Sequence, residues 1–247
     1  FMHLHNLGRE TFLAPMIWDE DGWPIVGDNG HIGLEMEANL PPEDTSFATK
    51  LLRSTFDDRF DGEALDLEWG YVRNPIRENY RLIDGGCELQ GVSDNLHELN
   101  PTLMIIRQKE FEQRAQTRLL SVDGEGEAGI VAYYNHDYFY SLGIVNEAES
   151  RKLVLTKKVH EVCSVESICD LTDADKQIDF AVDTGQEKYS FYYRLAGRDW
   201  VLAGQGSTAG LCTEGTHTMT FTGTWLGVYA HKAAAKYAYF KIDDLNS

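Results

Sequence analysis

Carboxylates are the most abundant reactive groups in this chain, with 40 Asp and Glu among 247 residues, so the search for chemistry starts with them. Breaking a glycosidic bond takes two carboxyl groups across a sugar, one acting as acid and the other as base or nucleophile. Asp19, Glu20 and Asp21 form one acidic cluster, and Glu125 and Glu127 flank a glycine in another. Both clusters fall in turn-like segments, where solvated acids are the plain reading. A strand reading E-x-D-x-x-E would set acids on one face, but Glu35/Glu37 and Glu147/Glu149 lack the rest of that pattern. Nothing matches a G-x-S-x-G elbow, an H-E-x-x-H helix or a phosphate-binding loop. The glycine run Gly204–Gly210 sits among strand-like segments with no helix after it, so it reads as a flexible loop. His3 and His5 alternate on one face, but no third ligand accompanies them. Asp57 with Asp58, and Asp243 with Asp244, open and close the second part of the chain. If the first and last strands are neighbours, Asp57 and Asp243 are candidates for a structural Ca²⁺, with ordinary surface acids as the alternative.

The elements that must position such groups are strands. Apolar residues alternate at period two in Tyr138, Tyr140, Leu142 and Ile144; in Ile178, Phe180 and Val182; and in Tyr189, Phe191, Tyr193 and Leu195. Ala238, Phe240 and Ile242 close the chain in the same way. Turn residues separate these runs at Asp61-Gly62, Asp84-Gly85-Gly86, Asp123-Gly124 and Ala196-Gly197-Arg198-Asp199. No long segment carries sustained helical periodicity with caps. The pattern predicts an all-β fold, a two-sheet antiparallel sandwich. Before it, Thr11–Trp18 and Asp21–Val26 read as two strands around a tight turn, and the proline-led stretch from Pro41 to Ser46 reads as a linker. A hairpin alone is marginal in water, so it needs something to pack on.

Composition narrows the functions. A formal net charge of −18 repels phosphate backbones and anionic lipid heads, which argues against nucleic-acid and membrane-surface partners. An apolar share of 43% supports a substantial core and argues against disorder. No run approaches the length of a membrane span, and no signal-peptide pattern opens the chain. Cys87, Cys163, Cys169 and Cys212 lack metal-ligand spacing. They read as reduced thiols, with a Cys163–Cys169 pair as the alternative. A cytoplasmic location fits these features. The chain begins at Phe1 and not at Met, so further sequence upstream is expected.

Specific residues then carry a resemblance. Leu7-Gly8-Arg9-Glu10-Thr11-Phe12-Leu13-Ala14-Pro15, followed by Trp18 and Asp21-Gly22-Trp23-Pro24, resembles the last propeller-blade segment of family 43 glycoside hydrolases of the β-xylosidase and α-L-arabinofuranosidase type. Phe56-Asp57-Asp58, Leu65-Asp66, Trp69 and Arg73-Asn74-Pro75 resemble the opening of the concanavalin A-like C-terminal sandwich of those enzymes. Arg107-Gln108, Ala128-Gly129-Ile130 and Phe221-Thr222-Gly223-Thr224-Trp225-Leu226-Gly227 continue the likeness, and Ala238-Tyr239-Phe240 completes it. The order and spacing of the pieces make it specific.

The resemblance implies three parts: residues 1–36 as the end of a propeller catalytic domain, 37–54 as linker, and 55–247 as sandwich. It implies an inverting glycosidase acting on xylo- or arabino-oligosaccharides, with two Asp and one Glu in the propeller. All three acids would lie upstream of the matched segment, so this chain alone is expected to be inactive. Arg9 matches the family arginine that reaches the substrate pocket, where a guanidinium can bind sugar hydroxyls and keep a carboxylate ionised. An aromatic of the sandwich walls that pocket, and Phe221 and Trp225 are the candidates. The propeller domain and the oligosaccharide are the expected partners. No cofactor is required, and a homo-oligomer is left open. A free-standing, non-catalytic carbohydrate-binding sandwich is the alternative reading, and a purely structural scaffold is a third.

Overall fold

The computed structural model describes residues 4–9, 11–37, 53–172, 175, 177–216, 218 and 221–245. These pack as two units: the residues through Gly8 together with those from Ser54 onward, and the residues from Arg9 to Arg53. Of the expected linker, residues 38–52 lie outside the described part.

In the smaller unit, β1 (Met16–Trp18) pairs antiparallel with β2 (Pro24–Val26), Met16 opposite Val26 and Trp18 opposite Pro24. Asp19 builds the turn between them. Its Oδ1 accepts from the backbone N–H groups of Asp21 at 3.0 Å and Trp23 at 2.8 Å, and its own N–H donates to the Trp23 carbonyl. Phe12, Leu13, Ile17, Trp18 and Trp23 remain largely exposed, as expected of a hairpin too small to bury its own side chains.

The larger unit is the sandwich. Its first strands are β3 (Phe56–Asp58), β4 (Tyr80–Ile83), β5 (Gly86–Gln90), β6 (Thr102–Arg107), β7 (Gln113–Asp123), β8 (Gly126–Asn135) and β9 (Tyr138–Glu147). They continue as β10 (Ser150–Val159), β11 (Val162–Asp170), β12 (Ile178–Asp183), β13 (Lys188–Leu195), β14 (Val201–Ser207), β15 (Trp225–His231) and β16 (Ala234–Asp244). One sheet runs β11-β10-β9-β8-β15-β6. The other runs β14-β13-β12-β7-β16-β5-β4, with β3 also paired to β16. The pairings are antiparallel.

Alternation places the core between the sheets. Tyr138, Tyr140, Leu142 and Ile144 of β9, Ile130 and Ala132 of β8, and Leu226 and Val228 of β15 face Ile178, Phe180, Val182, Tyr189 and Phe191 of the other sheet in one cluster. At one end Trp69 packs against Phe56 and Phe240, each with ring centroids 5.2 Å away, while its indole N–H donates to Asp58 Oδ2 at 2.8 Å. The Phe-Asp-Asp opening thus has a structural use: Phe56 fills the core and Asp58 holds the tryptophan. The outer face of the six-stranded sheet carries a second apolar cluster of Leu103, Ile105, Val131, Tyr133, Phe139 and Tyr229, together with Leu96.

Three expectations need correction. In the middle of β16 the pairing register shifts between Tyr237 and Phe240, so Tyr237 and not Ala238 shares the inner face with Phe240 and Ile242. Gly204 and Gly206 belong to β14 and not to a flexible loop. A Cβ at either would come within 2.5 Å of Leu155 or 2.4 Å of Tyr140, so the glycines let this strand lie close on those side chains. Glu127 lies in β8 and not in a solvated turn, because the β7–β8 connection closes before Gly126. Its carboxylate accepts from the Tyr229 hydroxyl and stands 3.2 Å from His231.

Candidate functional site

Two of the segments that carry the family resemblance, at opposite ends of the sequence, meet in the sandwich unit. The Thr224 N–H donates to the Asn6 carbonyl at 2.7 Å, and the Gln108 N–H donates to the Thr224 carbonyl at 3.1 Å. The N-terminal segment therefore lies along the residue that leads into β15. The Asn6 side chain is fully buried. Its amide donates to the Tyr189 hydroxyl at 3.1 Å, and that hydroxyl donates to Gln108 Oε1 at 2.7 Å. Burial pushes the Tyr189 phenol up to about 12, so it stays a neutral donor at ordinary pH. The Arg107 guanidinium donates to the Leu7 carbonyl at 2.7 Å.

Leu7-Gly8 then crosses Thr222-Gly223. Both glycines have positive φ, 79° at Gly8 and 72° at Gly223. A Cβ at Gly8 would fall 2.5 Å from the Gly223 nitrogen and 2.7 Å from the Phe221 carbonyl oxygen. A Cβ at Gly223 would fall 2.4 Å from the Leu7 carbonyl carbon. Only glycine fits either position.

Beside this crossing, Glu214 accepts from the His5 backbone N–H at 2.9 Å and also bonds the His5 ring Nδ1. Burial alone would raise its pKa. The His5 N–H, the His5 ring and the N–H of Glu214 itself outweigh that effect and pull the carboxyl down to about 2. His5 is thus held by a carboxylate, and His3 lies outside the described residues.

The candidate pocket residues differ in setting. Arg9 is exposed. Phe221 is 50% exposed, a half-open aromatic ring at the crossing. Trp225 stands in β15 between Arg107 of β6 and Tyr133 of β8, packed on the outer-face cluster and over Gly70, whose Cβ would lie 2.9 Å from its ring. The sequence reading singled out neither Asn6 nor Tyr189 as positioning groups. A tyrosine on an inward register was the available signal, and nothing around Asn6 marked it out.

Among the described residues, several acids have structural roles. Asp19 is committed to its turn and Glu127 to Tyr229 and His231. Of the calcium candidates, Asp57 is paired with Arg59 at 2.9 Å and Asp243 with Lys241 at 2.6 Å. Among the described residues no group of three or more His, Cys, Asp or Glu is placed to hold a metal. All four cysteines are free.

Two antiparallel sheets closed over an aromatic core make this a concanavalin A-like β-sandwich. Residues 57–244 match the family model of the β-xylosidase C-terminal concanavalin A-like domain, and the chain belongs to that family of glycoside hydrolase family 43. It is 30% identical over 231 residues to a non-reducing end α-L-arabinofuranosidase of Bacteroides ovatus, a match covering 91% of this chain and 42% of that protein. It is 24% identical over 257 residues to a xylosidase/arabinosidase of Butyrivibrio fibrisolvens, covering 97% and 47%. In fold it resembles a xylan β-1,4-xylosidase from Bacillus halodurans C-125, with a TM-score of 0.76 and 22% identity over 97% of this chain and 48% of that one. The chain spans about half the length of the curated relatives it matches.

Proposed function

We propose that this chain is the C-terminal part of an inverting glycoside hydrolase of xylo- or arabino-oligosaccharides, and that it supports and partly walls an active site formed by an upstream propeller. In this reading the catalytic Asp, Asp and Glu lie upstream, and Arg9 and Phe221 serve the substrate pocket. Arg9 supplies hydrogen bonds to sugar hydroxyls and holds a catalytic carboxylate ionised, while Phe221 offers a flat apolar face to a sugar ring. Trp225, fixed by its packing, holds the start of β15 and thereby the loop that carries Phe221.

The observation that carries the reading is the crossing of Leu7-Gly8 over Thr222-Gly223, which ties together two of the segments that carry the family resemblance within the sandwich unit. The exposed apolar side chains of the hairpin add support, since a self-sufficient binding module has no use for them. The names of the relatives support the substrate class.

The test is made in the enzyme that includes the upstream region. Arg9→Ala is expected to lose about tenfold to a hundredfold in kcat/KM on aryl xyloside or arabinofuranoside, the scale of one or two hydrogen bonds to a charged group. Unchanged kinetics in a folded variant would remove Arg9 from the site.

A further inference from the structure

A second concave site lies on the outer face of the eight-stranded sheet, within the sandwich unit. Because Ile178, Phe180 and Val182 point into the core, Asp179 and Asp183 of β12 point the other way. Asp179 is nearly buried there and accepts from two guanidinium groups, Arg118 in a forked pair across both oxygens and Arg194 with two N–H groups on Oδ2 alone. Arg118 of β7 donates through Nε at 2.6 Å and Nη2 at 3.2 Å, and Arg194 of β13 donates through Nε at 3.0 Å and Nη2 at 2.6 Å. The Arg194 guanidinium also stacks on Trp200, 4.6 Å from the ring centroid, so its plane is fixed on two sides.

Beside these groups opens a pocket of about 250 Å³ lined by Arg118, Asp179, Arg194, Gln177, Gly197 and Arg198. Three guanidinium groups share it with one carboxylate, in a chain that carries 22 Lys and Arg against 40 Asp and Glu. Asp175, close enough to Arg198 to feel its charge, has its carboxylate engaged by the N–H and hydroxyl of Thr172. Each guanidinium has five N–H donors, and Asp179 takes two from each of its partners. The Nη1 groups of Arg118 and Arg194, and the Arg198 side chain, make no protein hydrogen bond among the described residues. Gly197, in a left-handed turn with φ of 73°, has nothing within 4 Å of where a Cβ would sit, and this leaves one side of the pocket open.

We propose that this pocket binds the carboxylate of a single acidic sugar, a hexuronate. Spare guanidinium donors held in fixed planes match a carboxylate in the forked geometry that Asp179 already shows. The Gln177 amide can take a ring hydroxyl. The volume suits one sugar unit and not an extended chain. The site does not depend on Arg9 or Phe221, so it would stand even if those residues had no part in catalysis. In a carbohydrate-active protein it would let the sandwich hold a charged side branch of a polysaccharide whose neutral residues are cleaved elsewhere.

The experiment is a calorimetric or NMR titration of the 247-residue chain with sodium D-glucuronate, D-glucose and sodium phosphate at matched ionic strength. Glucuronate is expected to bind saturably and more tightly than either control. Arg198→Gln is expected to weaken it by about tenfold or more with the melting temperature unchanged, because Arg198 is exposed and outside the Asp179 pairs. Four results would each overturn the proposal: no saturable binding of glucuronate, equal binding of glucose, equal binding of phosphate (a general anion site), or full affinity retained in Arg198→Gln.

Discussion

At the scale of the residue, the crossing of the two segments rests on positions that admit only glycine. Gly223 is the sharpest case, because an alanine there would combine a left-handed backbone with an overlap against the Leu7 carbonyl. Gly223→Ala is expected to cost at least about 2 kcal/mol, measured by urea unfolding. A variant as stable as the parent would mean that the crossing of the two segments is not tight in solution. Glu214 gives a second test. Its carboxyl is held at about 2, below its ordinary 4.5, so its bond to His5 stabilises the fold fully above pH 4.5. That contribution fades as pH falls through about 2. The stability advantage of the parent over Glu214→Gln should therefore shrink between pH 4.5 and 2. An advantage that stays constant over that range would contradict the assignment.

At the scale of the element, the alternation in β9, β12 and β13 was legible because each strand has one face in the core and one outside it. The register of β16 was not, since the shift between Tyr237 and Phe240 depends on how β7 lies beside it, and that partner is distant in sequence. The glycines of β14 read as a loop for the same reason: the Tyr140 and Leu155 side chains that require them belong to other strands. The candidate site was legible as two separate motifs, Leu7-Gly8-Arg9 and Phe221-Thr222-Gly223. Their crossing was not, because nothing local in either motif encodes a contact across nearly the whole chain. The role of Asp58 was hidden by its neighbour Asp57, since two adjacent acids look alike until one meets the indole of Trp69. The arginines around Asp179 were equally hidden, spread over three segments that only the sheet brings together.

At the scale of the whole molecule, the fold supplies support and shape while its acids are engaged elsewhere. Asp19 builds a turn, Asp58 holds Trp69, Glu127 bonds Tyr229, Asp179 gathers two arginines and Glu214 anchors His5. Each of these five carboxylates has a structural partner within the fold, a setting unlike the facing acid pair that glycoside hydrolysis requires. It accords with the proposal that the catalytic acids belong to an upstream domain. The most direct measurement is turnover of an aryl β-xyloside and an aryl α-L-arabinofuranoside by the pure 247-residue chain. The account predicts no hydrolysis above the uncatalysed rate, and measurable, saturable turnover by this chain would contradict it.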